Sequence, residues 1–383
     1  MASSRRHVAR IAITAATLLM LYGTAILYQL TFAEPALLLP SEADQIGSQM
    51  FVFFYESPYW GAPYPRRTYE CGGADARFEK VMITSAKRYR HVAGALVFQP
   101  SRYYEPRDRK SVPWVMDTLE NPAVRTISSS VFRQLDYAMS YRYDSDGTDL
   151  EYATGLLSEG GLEASIRRLT ASVDMSMKDR SRPIFWVASN CVAANGRTNL
   201  VRELMKHIPV ASYGPCLNNA HGDNGRGNTE SVVNLPEHWA KVHKFYLAFE
   251  NDNCVDYISE KYYKTIKAGL VPVVDGPRVY PNWVQPTAHS IIHVDDFASI
   301  SDLAAFLHKL NNDDDLYLEY LSHRTGKAPL QPAFTKFLSR LSQPTTAGER
   351  WCRVASMIAS GKPSRKIDMK DDQCQHGKWK HLS

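Results

Sequence analysis

One stretch of this chain concentrates side chains with chemical uses. Residues 245–276 read FYLAFENDNCVDYISEKYYKTIKAGLVPVVDG. An apolar run ends in Glu250 and Asn251, a short polar loop follows, and Tyr257, Ser259, Glu260 and Lys261 open a helical stretch. Ser259 has the type and place of an N-cap. A helix N-terminus presents free N–H groups and partial positive charge, which suits a diphosphate. Lys261 adds a full charge, and Glu260 can accept hydrogen bonds from sugar or ribose hydroxyls. Ser-Glu-Lys at a helix start is also common as plain capping, so this stretch alone names no reaction.

Two further segments carry candidates. Residues 188–219 run from an apolar stretch into a polar loop with Asn195, Gly196 and Arg197, then into a helix. An arginine there would stand at a cleft mouth and could clamp a phosphate through two parallel N–H bonds. The plain alternative is a surface arginine. In residues 114–124, WVMDTLENPAV, Glu120 ends a strand just before Asn121-Pro122, where a carboxylate could serve as a general base. Asp144-Ser145-Asp146 has the spacing of a pair that can hold Mn²⁺ or Mg²⁺ beneath a diphosphate, but such pairs recur by chance in loops. The acidic run 313–315 reads as a solvated turn.

Something must hold these residues at one place. From residue 50 onward, short apolar strands alternate with helical stretches. Residues 49–55, 80–85, 94–99 and 111–118 read as strands. Residues 183–190 form a nearly continuous apolar run, as expected of a buried parallel strand. Residues 210–214, 244–251, 270–276 and 290–297 read as further strands. Helical spacing marks 199–208, 259–268, 301–310 and 316–323. This alternation predicts an α/β fold with parallel sheets, in two Rossmann-like domains, 49–175 and 180–345, facing a cleft, with a C-terminal tail at 346–383. In such sheets ligands sit outside the carboxyl ends of the strands, where the candidates fall.

Composition excludes some classes. A net charge of +5 over 383 residues is too even for the basic stripe of a nucleic-acid binder. The 21 tyrosines and 7 tryptophans could give sugar-binding platforms, although most such rings fill cores. Residues 11–33 carry no charged side chain, whereas Arg5, Arg6 and Arg10 precede them. At about 1.5 Å per residue the run can cross a bilayer core of roughly 30 Å, with residues 1–10 as a cytoplasmic tail and 34–48 as a stem. It is longer than the ~7–15 apolar residues of a cleaved signal. Six cysteines follow (Cys71, Cys191, Cys216, Cys254, Cys352, Cys374), an even number that suggests disulfides in a secretory compartment. Sequence alone does not choose among the pairings, and no CxxC or His-rich spacing indicates a metal cluster.

The block at 245–276 resembles the signature of the α1,3-fucosyltransferases, glycosyltransferase family ten: F-x-L-x-F-E-N, D-Y-[IV]-[ST]-E-K, then A-G-x-V-P-V-V-x-G. Other blocks are similar in order and spacing: ASNCVAANGR and SYGPC at 188–216, LDYAMSYRYDSD at 135–146, TLENP at 118–122 and IIHVDDF at 291–297. The chain departs from the family at Asn121, at Asp252, and at Ala355, where a second cysteine of a C-x-x-C would stand.

The resemblance implies a GT-B fold and an inverting transfer from GDP-β-L-fucose to a GlcNAc-containing glycan. It gives Glu120 the role of base. Arg197 and Lys261 would face the donor phosphates, Glu260 and Tyr257 would orient ribose or fucose, and Glu250 and Asn251 would line the donor side. It requires no protein-bound metal. Mn²⁺ would act by pairing with GDP in solution, leaving Asp144 and Asp146 structural. It implies a bridge between Cys71 and Cys352, and a Golgi membrane protein, single-pass type II, with a lumenal catalytic region. The rival from another class is a non-catalytic, membrane-anchored glycan-binding protein on the same fold.

Overall fold

The computed structural model describes residues 44–57, 62–72, 77–99, 112–122, 134–220, 237–343, 346–364 and Cys374. Residues 1–33, most of 34–48, and the 102–110 loop lie outside the described residues. Among the described residues no helix is long and apolar enough to cross a membrane.

Two sheets form the frame. The first holds β1 (Met50–Tyr55), β2 (Arg67–Glu70), β3 (Lys80–Thr84), β4 (Ala95–Phe98), β5 (Trp114–Thr118), β6 (Tyr137–Ser140) and β7 (Gly147–Thr148), in the order β2-β3-β1-β4-β5-β6-β7. All pairs are parallel except β2 with β3. The second holds β8 (Ile184–Trp186), β9 (Val210–Ser212), β10 (Phe245–Phe249), β11 (Val271–Asp275) and β12 (Ile292–His293), in the order β12-β11-β10-β8-β9, all parallel. This is the α/β, parallel-sheet, Rossmann-like character expected from the alternating runs.

Burial on both faces explains why the strands read as continuous apolar runs. Successive side chains point to opposite faces. In β1, Phe51, Phe53 and Tyr55 enter one core and Met50, Val52 and Phe54 the other. In β10, Phe245, Leu247 and Phe249 lie on one side and Tyr246 and Ala248 on the other.

The helices are α1 (Gly161–Thr170), α2 (Arg197–Leu204), α3 (Glu237–Val242), α4 (Glu260–Ala268), α5 (Ile300–Asn312), α6 (Asp314–Glu319), α7 (Pro332–Leu341) and α8 (Thr346–Ala359). Two segments depart from the sequence expectation. Residues 151–170, read with the first block, put Ala153, Leu156 and Leu169 into the core of the second half. Residues 346–359, read as the start of a tail, form α8, whose Trp351, Val354 and Ala355 pack on the first sheet with Phe53 and Val81.

Disulfides join Cys71 to Cys352, Cys191 to Cys216 and Cys254 to Cys374. The first is the bridge that the family resemblance implied, and it ties β2 to α8.

Gly269 ends α4 in the left-handed region at φ +78°. A Cβ there would lie 3.1 Å from Val173 Cγ2 and 3.2 Å from Arg324 Cζ. Gly269→Ala is expected to cost about 1–2 kcal/mol from the backbone alone, read as a lower urea midpoint. An unchanged midpoint would show that the turn relaxes freely.

Candidate active site

The second sheet reverses its strand order at β8, with β9 on one side and β10 on the other. A crevice opens outside the strand ends at such a point. Asn195 spans it, donating through Nδ2 to Glu250 O (2.9 Å) and Asn253 Oδ1 (2.8 Å).

Glu250 is the first residue past β10 and is fully buried. Its carboxylate accepts from Ser259 N–H (2.8 Å), Ser259 Oγ (2.7 Å) and Lys261 Nζ (3.3 Å). The N-terminus of α4 is therefore capped twice, by Ser259 Oγ on Lys261 N–H and by a carboxylate that answers the helix dipole. Lys261 Nζ also donates to Ser259 Oγ (2.8 Å) and Glu260 Oε1 (3.2 Å). Burial pulls its pKa down, but Glu250 and Glu260 outweigh this and the net shift is upward, so the ammonium stays charged. Burial pushes Glu260 up, and Lys261 overrides it to leave Glu260 below its ordinary value.

Arg197 does not stand at a cleft mouth. It is 3 % exposed. Its guanidinium donates to Phe249 O (2.8 Å) and Asn190 O (3.2 Å), the carbonyls that end β10 and leave β8. Burial lowers its pKa, and Glu250 is the leading opposing charge. Arg197 and Glu250 are thus buried supports of the crevice. Asn251, Glu260 and Lys261 are its partly exposed members.

The first half closes the site from above. Glu120 follows β5, and its N–H is held by Thr118 Oγ1 (3.1 Å). Tyr257 reaches across from the second half and donates to Glu120 Oε2 (3.4 Å). The Tyr257 hydroxyl is raised well above its ordinary pKa by burial, then by Tyr152 and Glu120, so it remains a donor. Beside this contact Asn121 Nδ2 donates to Asn251 Oδ1, and Tyr143 N–H donates to Asp256 Oδ2 (3.2 Å). The seven residues given base or donor-side roles from sequence therefore lie in one connected cluster between the two sheets.

Sequence reasoning missed Tyr152 and Tyr141, whose rings meet Tyr257 edge-on. Tyr152 also donates to Leu119 O (3.2 Å), fixing the turn that carries Glu120. Tyr141 stands in the quoted LDYAMSYRYDSD block, whereas no local pattern marks Tyr152. The missed Asn121 stands in the quoted TLENP block.

The acidic pairs have internal duties. Asp144 is clamped by Arg142 (2.8 and 2.9 Å). Asp146 accepts from Ala138 N–H (2.9 Å) and Ser364 Oγ (2.6 Å). Asp252 lies beside Cys254 and Cys374, but those sulfurs are bonded to each other.

Asp275, at the end of β11, is buried and accepts from Asn253 Nδ2. Burial is the main cause that pushes its pKa up to about 7. An ordinary aspartate titrates near about 4, so between about pH 4 and 7 the folded chain holds a proton that the unfolded chain has lost. Stability from this group falls as pH rises through that window and is level above it. Asp275→Asn keeps an acceptor for Asn253 without titrating. Its urea midpoint relative to the parent should rise from pH 5 to pH 8, and a constant difference would reject the shift.

Residues 177–371, just over half of the chain, match the family described as glycosyltransferase family 10 (fucosyltransferase), C-terminal. The chain is 35% identical over 176 residues to a rat GDP-fucose protein O-fucosyltransferase 3, covering 45% of this chain and 36% of that one. It is 33% identical over 190 residues to the Drosophila melanogaster glycoprotein 3-alpha-L-fucosyltransferase A, covering 49% and 33%. These matches span about a third of each relative's length. A crystal structure of an alpha1,3-fucosyltransferase with GDP is similar at 14% identity and a TM-score of 0.48, over 85% of this chain and 94% of that one.

Proposed function

Because this chain belongs to glycosyltransferase family 10, the fucosyltransferases, we propose that it transfers L-fucose from GDP-β-L-fucose, with inversion, to the 3-hydroxyl of a GlcNAc residue on a glycan. The observation that carries the reading is the contact across the cleft. A carboxylate of the first half, Glu120, meets Tyr257 of the second, beside the Glu250–Ser259–Lys261 knot. In a GT-B arrangement of this kind, acceptor and donor arrive from opposite halves.

A single displacement suffices. The acceptor hydroxyl loses its proton to Glu120 as its oxygen attacks the anomeric carbon. GDP leaves from the other face with growing negative charge, which a fixed cation stabilises. Lys261 is the cation with access. Its side chain is 20 % exposed and lies 3.3 Å from Glu250 and 3.2 Å from Glu260. Arg197 acts from beneath, as buried positive charge and as the brace of the loop carbonyls. Glu260 and Asn251 meet sugar or ribose hydroxyls. No protein-bound metal enters this scheme, and Mn²⁺ would act on GDP in solution.

Lys261→Ala should weaken GDP binding by roughly 10–100-fold, the ~1.5–3 kcal/mol of a charge-assisted hydrogen bond. Titration calorimetry with GDP checks this, and unchanged affinity would remove Lys261 from the donor site. Release of GDP from GDP-fucose only when acceptor is present separates an enzyme from a glycan-binding protein.

A second reading concerns the acceptor alone. The rat relative is named a protein O-fucosyltransferase, and a serine or threonine hydroxyl would need the same base and the same donor site. GDP-fucose offered with a glycan array and with folded glycoprotein acceptors decides between them. Under either reading, residues 11–33 anchor the chain in the Golgi membrane with the cleft in the lumen. Three disulfides among the described residues fit that oxidising space.

A further inference from the structure

The loop between β10 and α4 carries a residue in an unusual conformation. Among the described residues, Leu217 and Asp256 are the non-glycine positions with positive φ, and Asp256 stands at +63°. Tyr257 N–H bonds Cys254 O (3.1 Å), closing a four-residue turn in which Asp256 is third. A positive φ at that position suits glycine or asparagine. Glycine would hold this turn at lower cost, so the turn alone does not account for a carboxylate.

The carboxylate has a use across the cleft. Its Oδ2 accepts from the N–H of Tyr143 (3.2 Å), in the first-sheet loop between β6 and β7. That loop is itself fixed. The Tyr143 ring meets Trp283 edge-on at 4.5 Å, and Arg142 beside it is clamped on Asp144. Burial raises the pKa of Asp256, and the Tyr143 N–H and then Arg142 oppose the rise. The turn before α4 is thereby anchored to the first half.

The anchor adjoins the residue that touches the candidate base. Tyr257 follows Asp256 directly, and its hydroxyl reaches Glu120 Oε2 at 3.4 Å. A well-formed O–H···O bond spans about 2.5–3.0 Å, so a shift of roughly half an ångström in the Tyr257 backbone tightens or breaks this one. The other fastenings of the loop lie further back along it, where Asn251 bonds Asn121 and Cys254 is bridged to Cys374. The donor knot is held from within the second half, by Ser259 and Lys261 on Glu250.

We propose that Asp256 is a positioning residue for the transfer: its hydrogen bond to Tyr143 fixes the turn that delivers the Tyr257 hydroxyl to Glu120. This rests on the reading of Glu120 as the base of fucosyl transfer. Asp256 touches neither substrate nor Glu120 and acts only through Tyr257. A carboxylate held in one orientation attacks its proton from a productive geometry more often than one free to turn. Loss of the anchor therefore slows the chemical step and leaves GDP binding as it was.

Three variants of the full chain separate the bond from the backbone. Asp256→Gly fits the positive φ and removes the acceptor, whereas Asp256→Asn fits it and keeps one. Tyr257→Phe removes the hydroxyl through which Asp256 acts. Asp256→Gly should lower fucosyl turnover roughly tenfold, the scale of one hydrogen bond, and no more than Tyr257→Phe does. Its GDP affinity and melting temperature should stay near the parent's. Asp256→Asn should recover most of the turnover. In the Tyr257→Phe background, Asp256→Gly should cost less than about twofold, because the two residues act as one unit. Full additivity overturns the proposal, as does parental turnover in Asp256→Gly. A glycine variant that melts well below the parent marks a brace of the whole fold and also overturns it. Hydrogen exchange reads the anchor without catalysis: residues 254–259 should exchange faster in Asp256→Gly than in the parent, and no faster in Asp256→Asn. If the parent transfers no fucose, the functional reading fails and exchange alone decides the anchor. Unchanged exchange in Asp256→Gly overturns it.

Discussion

Glu120→Gln should lower fucosyl transfer by roughly 10²–10⁴-fold, the range for loss of a general base, while GDP affinity stays near that of the parent. The substitution keeps the shape of the side chain and its hydrogen bond from Tyr257, and removes only the capacity to take a proton. Glu120 is placed for this by two contacts that do not depend on its charge. Thr118 Oγ1 holds its N–H, and Tyr152 holds the carbonyl of Leu119 before it. Tyr257→Phe should have a smaller effect on turnover, because it loosens the carboxylate without removing it. Transfer kinetics beside GDP titration for the two variants make the check. Turnover near the parent's for Glu120→Gln would sink the assignment. Asp117, the neighbouring carboxylate on β5, could not take over, since it is buried against Tyr55 and Arg350.

That second carboxylate belongs to the other large effect. Arg350 of α8 reaches the edge of the first sheet and pairs with both Asp117 (2.6 Å) and Asp149. The exposures of the three side chains are 12, 4 and 5 %. The Arg350 guanidinium also lies over the Trp351 ring. Breaking such a buried network by removing one partner costs about 3–5 kcal/mol, because charge is left uncompensated. Arg350→Met should therefore lose that much in urea unfolding.

The loss should depend on pH. Burial already pushes Asp149 up to about 6, with Arg350 opposing. This group therefore gives up stability as pH rises from about 4 to 6. Without Arg350 the pKa moves higher and the loss extends to higher pH, so the deficit of the variant should be larger at pH 8 than at pH 5. Arg350→Met with Asp149→Asn should recover part of it. A deficit that ignores pH would mean that α8 is held by Trp351 packing alone.

Much of the second half was legible because its signals are local. The run 244–251 is β10 with one or two residues to spare, and 270–276 is β11. Ser259 and Gly269 bracket α4 as cap and stop. The charged residues were found but their duties were not. Nothing within a few positions of Arg197 or Glu250 says that one braces two backbone carbonyls and the other is spent on a helix cap. Those duties come from β8, β10 and α4 meeting at the crevice. The partners of Asp117 lie 62 and 233 residues away, beyond any local pattern. α8 differs in kind. Trp351, Val354, Ala355 and Ile358 recur at three- and four-residue steps, a helical stripe passed over because the segment followed the last recognisable block.

The position of α8 in the chain also sets an order of events during synthesis. One face of the first sheet is finished only by a helix that lies about 200 residues beyond β7. At about 5–20 residues per second, a ribosome leaves Phe53, Val81 and Val115 without that cover for roughly 10–40 s. The second half lies between, unbroken in sequence, and can fold meanwhile. Cys71 waits through the same interval for Cys352. The nascent first sheet is therefore the stretch a chaperone should hold, although it is among the first parts of the molecule to be made.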